Sequence, residues 1–420
     1  MKKTFIITLL FVLAANAVAG QERRLTLGQC IQLALEQNYS LRAADRSVER
    51  ARTLQGTAWD VERTELSLSQ DPTSGGSPDN ALALSQAIDF PTVYVARLRQ
   101  LKAETQAERS RRDMVCNTLV ADVASAYLQL AYEQECVRIL AAQDSVLVRY
   151  RQIAGKRLEA GDTRRLEVMA ADRLLRENRL EMTSAQNRTE EAALRLAQLL
   201  GEDDGIMTAD TLLPCLDLVL PEYNYDLSPE GTYAGDLRTV ADKAVGVARS
   251  GYAPTLSLAL RHQLVISSWN PYAQNRSRFS GGNFMGFEVG VGIPLFFGAT
   301  RAKVKAAKME REMADLQMRS QRQTREKEYA ACLSRCNTAF ARVEYYRGEG
   351  GQQAREMARL GAVEYENGEI GYVEYVNVLQ ESLNMRIKCA AAVNDYNQSI
   401  VNLQRLAGRA DNLSRMLPAL

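Results

Sequence analysis

The chain lacks several features that would identify a simple class of protein. Its 52 basic and 51 acidic residues nearly cancel and form no long block of one sign, so the sequence does not predict a nucleic-acid partner. Its seven cysteines are scattered, odd in number and without a repeated spacing, which excludes a disulfide framework. Beyond residue 20 there is no run of 18 apolar residues. We therefore expect that any part of the mature chain entering a bilayer does so as strands.

Catalytic signals are also missing. The sequence contains no Gly-rich phosphate loop and no nucleophile motif, and its single histidine, His262, stands at the end of a predicted strand. Cys332 and Cys336 lie one helical turn apart, but no second pair of metal ligands is near them in sequence. We interpret them as small apolar residues on one helix face. The sequence predicts no enzyme activity, no cofactor and no metal site.

The N-terminus has the pattern of a secretory signal peptide. It has lysines at positions 2 and 3, continues with an apolar stretch over residues 5–18, and reaches small residues at Ala17, Ala19 and Gly20. The apolar stretch is shorter than the roughly 20 residues that a membrane-spanning helix needs. We expect residues 1–19 to be removed on export.

Most of the remaining chain is written twice. The block KRLEAGDTRRLEVMAADRLL, closing at LAQLLG, recurs about 200 residues later as VEYENGEIGYVEYVNVLQES, closing at LQRLAG. Gly161 thereby matches Gly368, and Gly201 matches Gly408, with one shared offset. A repeat of this size indicates a duplicated structural unit and not a solenoid. The predicted division is a first repeat over 20–201, a connector over 202–228 and a second repeat over 229–420.

Each copy changes from helical to strand periodicity and back. The first copy predicts a helix from Thr26 to about Glu62, and then a hairpin whose strands include 64–69 and 81–88. A helix of some 65 residues without proline follows, to about Glu159, and a return helix runs from about Thr163 to Leu200. A helix of that length requires coiled-coil packing against neighbours.

The second copy has the same order of elements. Its spacing predicts a helix over about 236–251, strands over 255–265 and 284–293 separated by a long loop, a long helix over about 299–365, and a final helix to Leu406. In these strands leucine, valine and phenylalanine alternate with small or polar residues, so one face suits lipid and the other water.

Four strands cannot close a barrel alone, since the smallest bacterial barrels have about eight, and an open edge is not tolerated in lipid. Several chains must therefore share one barrel. Apolar residues along each long helix predict lateral packing of helical hairpins into a tube, and polar residues predict two wet surfaces.

Four segments of the sequence are informative together: ARSGYAPTLSL, VGIPLFFGATRAKVKAAK and the two hairpin tips EAGDTRRLEV and ENGEIGYVEY. Through them, essentially the whole mature chain resembles the TolC-type outer-membrane efflux protein family. The resemblance implies a mainly α-helical homotrimer with a transmembrane β part: a twelve-stranded barrel in the outer membrane of a Gram-negative bacterium, four strands from each chain, continued by a helical tunnel through the periplasm. The implied function is the passive exit duct of a tripartite pump. Its partners would be a periplasmic adaptor, an inner-membrane transporter of the resistance-nodulation-division type, and outer-membrane lipid.

The resemblance also assigns residues to a gate at the periplasmic tip. It implies that Glu374 forms an acidic ring in the trimer, whereas Asn377 departs from the two-acid pattern. It places Tyr365 among the residues that hold the tip shut. Ile370 replaces an arginine found in some relatives. Glu167 occupies the place in the first copy that Glu374 has in the second, and would add a further acidic ring if it faces the lumen.

The hairpin tips themselves are the expected adaptor contact. Gly161 and Gly368 each end a long helix where a left-handed residue is needed, and glycine adopts that conformation without steric cost. Arg164 and Arg165 beside the first tip are candidates for contact with the adaptor. The alternative interpretation of each charged residue is an ordinary solvated side chain.

Two other functions remain open from the sequence. One is a secreted periplasmic coiled-coil protein, structural or adaptor-like, whose strands form a small soluble domain. An adaptor would be expected to have one helical hairpin and a lipoyl-like β domain, but this chain has two hairpins and lipid-compatible strands. The other alternative is the exit duct of a type I protein secretion system.

Overall fold

The computed structural model describes residues 24–72, 78–203, 205–210, 212–264 and 284–416. The predicted signal peptide, residues 1–19, and most of the long loop predicted between the strands of the second copy lie outside the described residues. The architecture is mainly helical with one four-stranded sheet, as predicted.

Within the described residues, the first copy has four α-helices and a β-hairpin. In chain order these are β1 (Arg24–Leu25), α1 (Leu27–Gln37), α2 (Tyr39–Leu54), a short 3-10 helix (Gln55–Trp59), β2 (Glu65–Pro72), β3 (Pro78–Asp89), α3 (Pro91–Ala160) and α4 (Arg165–Leu200). The predicted hairpin, long helix and return helix are thereby confirmed.

The first predicted helix is interrupted at Asn38, which the sequence analysis missed. Thr26 and Gln29 cap the start of α1 reciprocally, through bonds of 2.9 and 3.4 Å between backbone and side chain. Asn38 then leaves the helical conformation (φ −60°, ψ 123°), and its Oδ1 accepts from the backbone N–H groups of Ser40 and Leu41. The asparagine side chain therefore caps α2, and so competes locally with helix continuation.

The connector contains β4 (Met207–Thr208) and a 3-10 helix (Tyr225–Leu227). The second copy follows it. Its own elements are α5 (Pro229–Ser250), β5 (Thr255–Leu264), β6 (Phe284–Gly292), α6 (Gly298–Arg347), α7 (Glu349–Glu366), α8 (Tyr372–Leu406) and a final 3-10 helix (Ala410–Arg415). Gly161, Gly201, Gly368 and Gly408 all have positive φ, between +72° and +83°. The two pairs of repeated glycines therefore end helices in the same way.

The predicted helix over 299–365 is wrong in one respect, because it breaks at Gly348 between α6 and α7. Gly348 adopts φ −86° and ψ −120°, outside the helical region. A Cβ atom at the neighbouring Gly351 would lie 2.2 Å from the backbone oxygen of Tyr346. Close backbone approach at the GEGG segment is thus what glycine permits here.

The connector, residues 202–228, is bound to the helices mainly through its backbone. Strand β4 pairs in parallel with β1. The fully buried amide of Asn397 on α8 accepts from Leu216 N at 3.0 Å and donates to Pro214 O at 2.8 Å, and Gln404 donates to Val219 O at 2.9 Å. These amides satisfy backbone groups that have no secondary-structure partner.

The four strands form one antiparallel sheet in the order β2-β3-β5-β6, so strands from both copies are neighbours. Leucine and phenylalanine occupy one row across all four strands, and the adjacent row on the opposite face is polar or small. The first row is Leu66, Leu84, Leu260 and Phe287, and the second is Glu65, Ser85, Ala259 and Glu288. The predicted alternation is confirmed, and the apolar row is exposed, with Phe287 at 84%.

The chain divides into two compact units, each built from both copies. The first contains residues 24–43, 113–229 and 323–416 of the described chain, and the second contains 44–112 and 230–322, including the sheet. The first unit has a main core of leucine, alanine and tyrosine from α1, α3, α4, α6 and α8, and a second, smaller core beside the helix turns. An 18-residue window of α3 is apolar enough to span a membrane, but 56% of it is buried in the protein. We attribute its apolar character to core packing.

Candidate functional site at the helix turns

Two Gly-containing turns define the candidate site in the first unit. The first turn joins α3 to α4 through Gly161, and the second joins α7 to α8 through Gly368. In each turn the N–H after the glycine reaches back to a carbonyl of the ending helix. Asp162 N bonds Arg157 O, and Glu369 N bonds Glu364 O, both at 2.8 Å. The repeated sequence thus folds into two equivalent turns.

Three tyrosine rings pack together beside these turns. Tyr365 from α7 and Tyr375 from α8 stack with their centroids 4.4 Å apart, and Tyr150 from α3 meets them edge-on at 5.5 and 5.4 Å. Tyr150 and Tyr365 are fully buried. Leucine, alanine and valine side chains of α3, α4 and α8 surround the rings. Aromatic contacts therefore tie the two hairpins together at this end of the first unit.

A buried carboxylate joins this aromatic cluster to the first turn. Glu167, in the first turn of α4, is only 2% exposed. Its carboxylate accepts hydrogen bonds from the hydroxyl of Tyr365 and the hydroxyl of Thr163. Arg157 Nη1 lies 4.0 Å from Glu167 Oε1, and the Arg157 guanidinium carbon lies 5.1 Å from the centre of the Tyr365 ring. The arginine thus contacts both partners of the Tyr365–Glu167 bond.

Burial and the neighbouring carboxylate keep Tyr365 protonated. Desolvation is the larger cause and the hydrogen bond to Glu167 the second, and both raise the pKa of Tyr365 above its ordinary value. Tyr365 therefore remains a hydrogen-bond donor at neutral pH.

Two polar atoms in this cluster lack hydrogen bonds. Tyr150 Oη and Arg157 Nη1 are buried and have no hydrogen-bond partner among the residues that the structure describes. Such groups cost free energy in a buried site. Burial, with the Glu167 charge as the second cause, also raises the pKa of Tyr150.

Glu374 and Asn377, by contrast, are exposed at the start of α8. Glu374 Oε2 accepts from Gly371 N at 3.1 Å, so it caps the helix besides carrying its charge. Glu374 therefore differs in exposure from Glu167, its counterpart in the first copy. Glu167 is enclosed by the tyrosine cluster, and the expectation that it adds a lumen-facing acidic ring is not met within this chain.

The remaining predicted residues lie at the surface of the turns. Gly161 and Gly368 have φ of +83° and +77°, and a Cβ at either would meet no atom within 4 Å. Arg164 and Arg165 are exposed. Among the described residues no group of three or more potential metal-ligating His, Cys, Asp or Glu side chains occurs.

Sequence analysis missed Arg157, Tyr150 and Tyr375. Arg157 lies one helical turn before Gly161, in the segment that the repeat comparison already singled out. Residues three and four apart share a helix face, so this spacing was the available signal that Arg157 lies close to the turn. Nothing in the spacing of the two tyrosines indicates that they pack against Tyr365.

Solved outer-membrane channels share this fold. The chain superposes on the outer-membrane channel OprN with a TM-score of 0.77 and 21% identity, over 91% of this chain and 89% of that one. The CmeC outer membrane channel of Campylobacter jejuni gives a TM-score of 0.76 at 18% identity, over 91% and 86% of the two chains. The open state of the Neisseria gonorrhoeae MtrE outer membrane channel gives 0.72 at 18%, over 91% and 88%. The fold is therefore that of an outer-membrane channel subunit.

The outer membrane efflux protein family matches the sequence twice, over residues 30–202 and 237–409. The chain belongs to this family, and its location is the outer membrane with a helical periplasmic extension. Protein CyaE of Bordetella pertussis is 25% identical over 299 residues, which span 68% of this chain and 62% of that protein. The match therefore covers less than two thirds of that relative's length. The resemblance to TolC-type channels is confirmed.

Proposed function

We propose that three copies of this chain form the passive exit duct of a tripartite efflux pump. The sheet is the observation that carries this proposal. It has one apolar and one polar face, and the outer sides of β2 and β6 pair with no strand in the part of the chain that the structure describes. Lipid does not tolerate open edges, so the sheet must close against other copies. Three copies supply twelve strands, within the range of bacterial barrels.

The two hairpin turns would receive the periplasmic partners. Besides Arg164 and Arg165, the exposed surface of the first turn includes Leu166 and Met169, each 60% exposed. Apolar side chains flanked by cations suit contact with another protein. We assign this surface to a periplasmic adaptor, which in turn joins an inner-membrane transporter of the resistance-nodulation-division type.

The tyrosine cluster would hold the duct closed at this end. Tyr365 and Glu167 come from different hairpins, so their bond opposes separation of α7 from α4, and Arg157 positions the carboxylate. Glu374, with Asn377 one turn further along α8, would form the charged constriction through which substrate passes. We call the Tyr365–Glu167 bond, with Arg157, the tip latch.

The family to which the chain belongs supports an exit channel for efflux or secretion, and within that class we propose efflux of small substrates. An adaptor-like or structural periplasmic protein would not need a sheet with an exposed apolar face. An exit duct for type I protein secretion would use the same architecture. Deletion of the gene followed by drug and metal susceptibility measurements, and by analysis of secreted proteins, distinguishes efflux from protein secretion.

The direct test is oligomeric mass in detergent followed by conductance in planar lipid bilayers. A trimer that gives discrete steps supports the duct. A monomer that neither partitions into membrane nor conducts contradicts it. The Glu374→Gln variant tests the constriction: it should reduce cation selectivity, and unchanged selectivity would locate the constriction elsewhere.

A further inference from the structure

The segments that follow β3 and β6 carry cations and no acids. Residues 90–103 contain three basic residues, and residues 293–309 contain four; neither segment has an aspartate or glutamate. These basic residues are Arg97, Arg99, Lys102, Arg301, Lys303, Lys305 and Lys308. The chain as a whole is close to neutral. Both copies therefore concentrate positive charge just after a strand.

The register of the sheet brings both segments to the same end of the strands. Asp89 at the end of β3 pairs with Thr255, and Thr255 pairs with Gly292 at the end of β6. Helices α3 and α6 therefore both begin beyond the same end of the strands, within the second unit. The cations of both copies lie beyond this end of the sheet.

An exposed apolar stretch separates the sheet from the α6 cations. After Val291, which is 57% exposed, come Ile293 at 66%, Leu295 at 76% and Phe296 at 92%. Apolar strand, aromatic residue and cation thus follow one another along the chain. This order matches passage from hydrocarbon through the interface to the headgroups.

Three cations at the start of α6 are not paired with any acid among the residues that the structure describes. Arg301, Lys305 and Lys308 share one helix face, since they are spaced by four and three residues. All three are exposed, and none forms an ion pair within the described residues. The first turn of α6 contains no acidic residue, although positive charge near a helix N-terminus is unfavourable. On α3, Arg97 is paired with Asp89 at 2.8 Å, while Arg99 and Lys102 are exposed.

We propose that these helix starts bind the headgroups of anionic phospholipids at the periplasmic face of the outer membrane. The inference rests on the proposed function, because it requires the sheet to enter the membrane. The cations of Arg301, Lys305 and Lys308 contact lipid phosphates, while Leu295 and Phe296 lie against the acyl chains. Binding of lipid supplies the negative charge that the helix starts lack, and holds the chain at a defined depth.

The test compares two variants with the same change in charge. Arg301→Gln/Lys305→Gln/Lys308→Gln removes the proposed contacts. Lys327→Gln/Arg335→Gln/Arg342→Gln removes three exposed cations further along the same helix and is the control. Each full-length protein is reconstituted into vesicles of phosphatidylcholine with phosphatidylglycerol. The bound ratio of the two lipids is then measured by native mass spectrometry.

The wild-type protein and the control should retain phosphatidylglycerol preferentially. Each cation near an anionic surface contributes about fivefold to binding, so the first triple variant should lose on the order of 100-fold in preference at low salt. The wild-type preference should also fall as salt is raised.

Each of the following outcomes would contradict the lipid site. If the first variant keeps the wild-type ratio, or if the control loses as much, these cations do not form a lipid site. If the wild-type protein inserts into pure phosphatidylcholine but binds the two lipids of the mixed vesicles in the ratio in which they are supplied, the lipid inference fails and the proposed duct is unaffected. Failure of the wild-type protein to insert into any vesicle removes the proposed membrane sheet and the lipid site together.

Discussion

Removal of one hydroxyl should unlock the tip latch. In Tyr365→Phe the aromatic packing against Tyr150 and Tyr375 stays, and only the hydrogen bond to Glu167 is lost. Hydrogen bonds to charged groups contribute about 1.5–3 kcal/mol. The carboxylate is 2% exposed and keeps Thr163 and Arg157 as partners. We therefore take a loss of about 2 kcal/mol per chain, near the low end of that range.

If the open state lacks this bond, that loss shifts the ratio of closed to open states by about 30-fold for each latch. The assay is single-channel recording in planar bilayers, in which the variant should spend a larger fraction of time open. Glu167→Gln keeps an acceptor but loses the charge, and charge-assisted bonds are about twice as strong as neutral ones. Its effect should therefore be smaller.

Tyr375→Phe is the matched control, because it removes a hydroxyl from the ring that stacks on Tyr365 and leaves the bond to Glu167 in place. The reasoning is refuted if Tyr365→Phe gates like the wild-type protein. It is refuted equally if Tyr375→Phe opens the channel to the same degree, since ring packing and not the hydrogen bond would then hold the tip.

The remaining predictions concern neighbouring features. Tyr150→Phe removes a buried hydroxyl that has no hydrogen-bond partner among the described residues. The free energy of unfolding, measured by thermal denaturation, should stay the same or rise by as much as about 3 kcal/mol. A clear loss of stability would show that the hydroxyl has a partner. Gly368→Ala should cost about 1–2 kcal/mol from its left-handed backbone. Gly408→Ala should lower the melting temperature more, because its Cβ would lie 2.3 Å from Pro229 Cδ; equal losses contradict the packing argument. Glu374→Gln and Glu374→Ala should alter cation selectivity alike. Only the alanine variant loses the cap of α8, which contributes about 1 kcal/mol, so it should have the lower melting temperature. Equal melting temperatures would contradict the capping role. Because burial and the hydrogen bond to Glu167 raise the pKa of Tyr365 above its ordinary value, the latch should be constant below about pH 10 and weaken above it. The check is an ultraviolet titration of the tyrosine phenolates. If every tyrosine ionises at the pH of free tyrosine, the pKa of Tyr365 is not raised and the prediction is wrong.

Local patterns in the sequence predicted most of the elements. The four glycines with positive φ ended the helices where the repeat placed them, because a helix C-terminus in the left-handed conformation favours glycine regardless of distant contacts. Alternation of leucine with serine or alanine predicted both faces of the sheet, since successive strand residues point in opposite directions. The breaks at Asn38 and Gly348 were missed, because helical periodicity continues across both and only the local backbone departs from it.

The two matched acids show what only the tertiary structure decides. Glu167 and Glu374 occupy equivalent positions in the repeat, yet one is buried and the other exposed. Their difference arises mainly from Tyr365 on α7, which lies 198 residues from Glu167 in the chain and donates to its carboxylate, with Arg157 on α3 nearby. A sequence records which residues can cap, turn or alternate. It does not record which distant side chains surround a carboxylate, and those neighbours decide whether the carboxylate is buried and hydrogen-bonded or exposed to solvent.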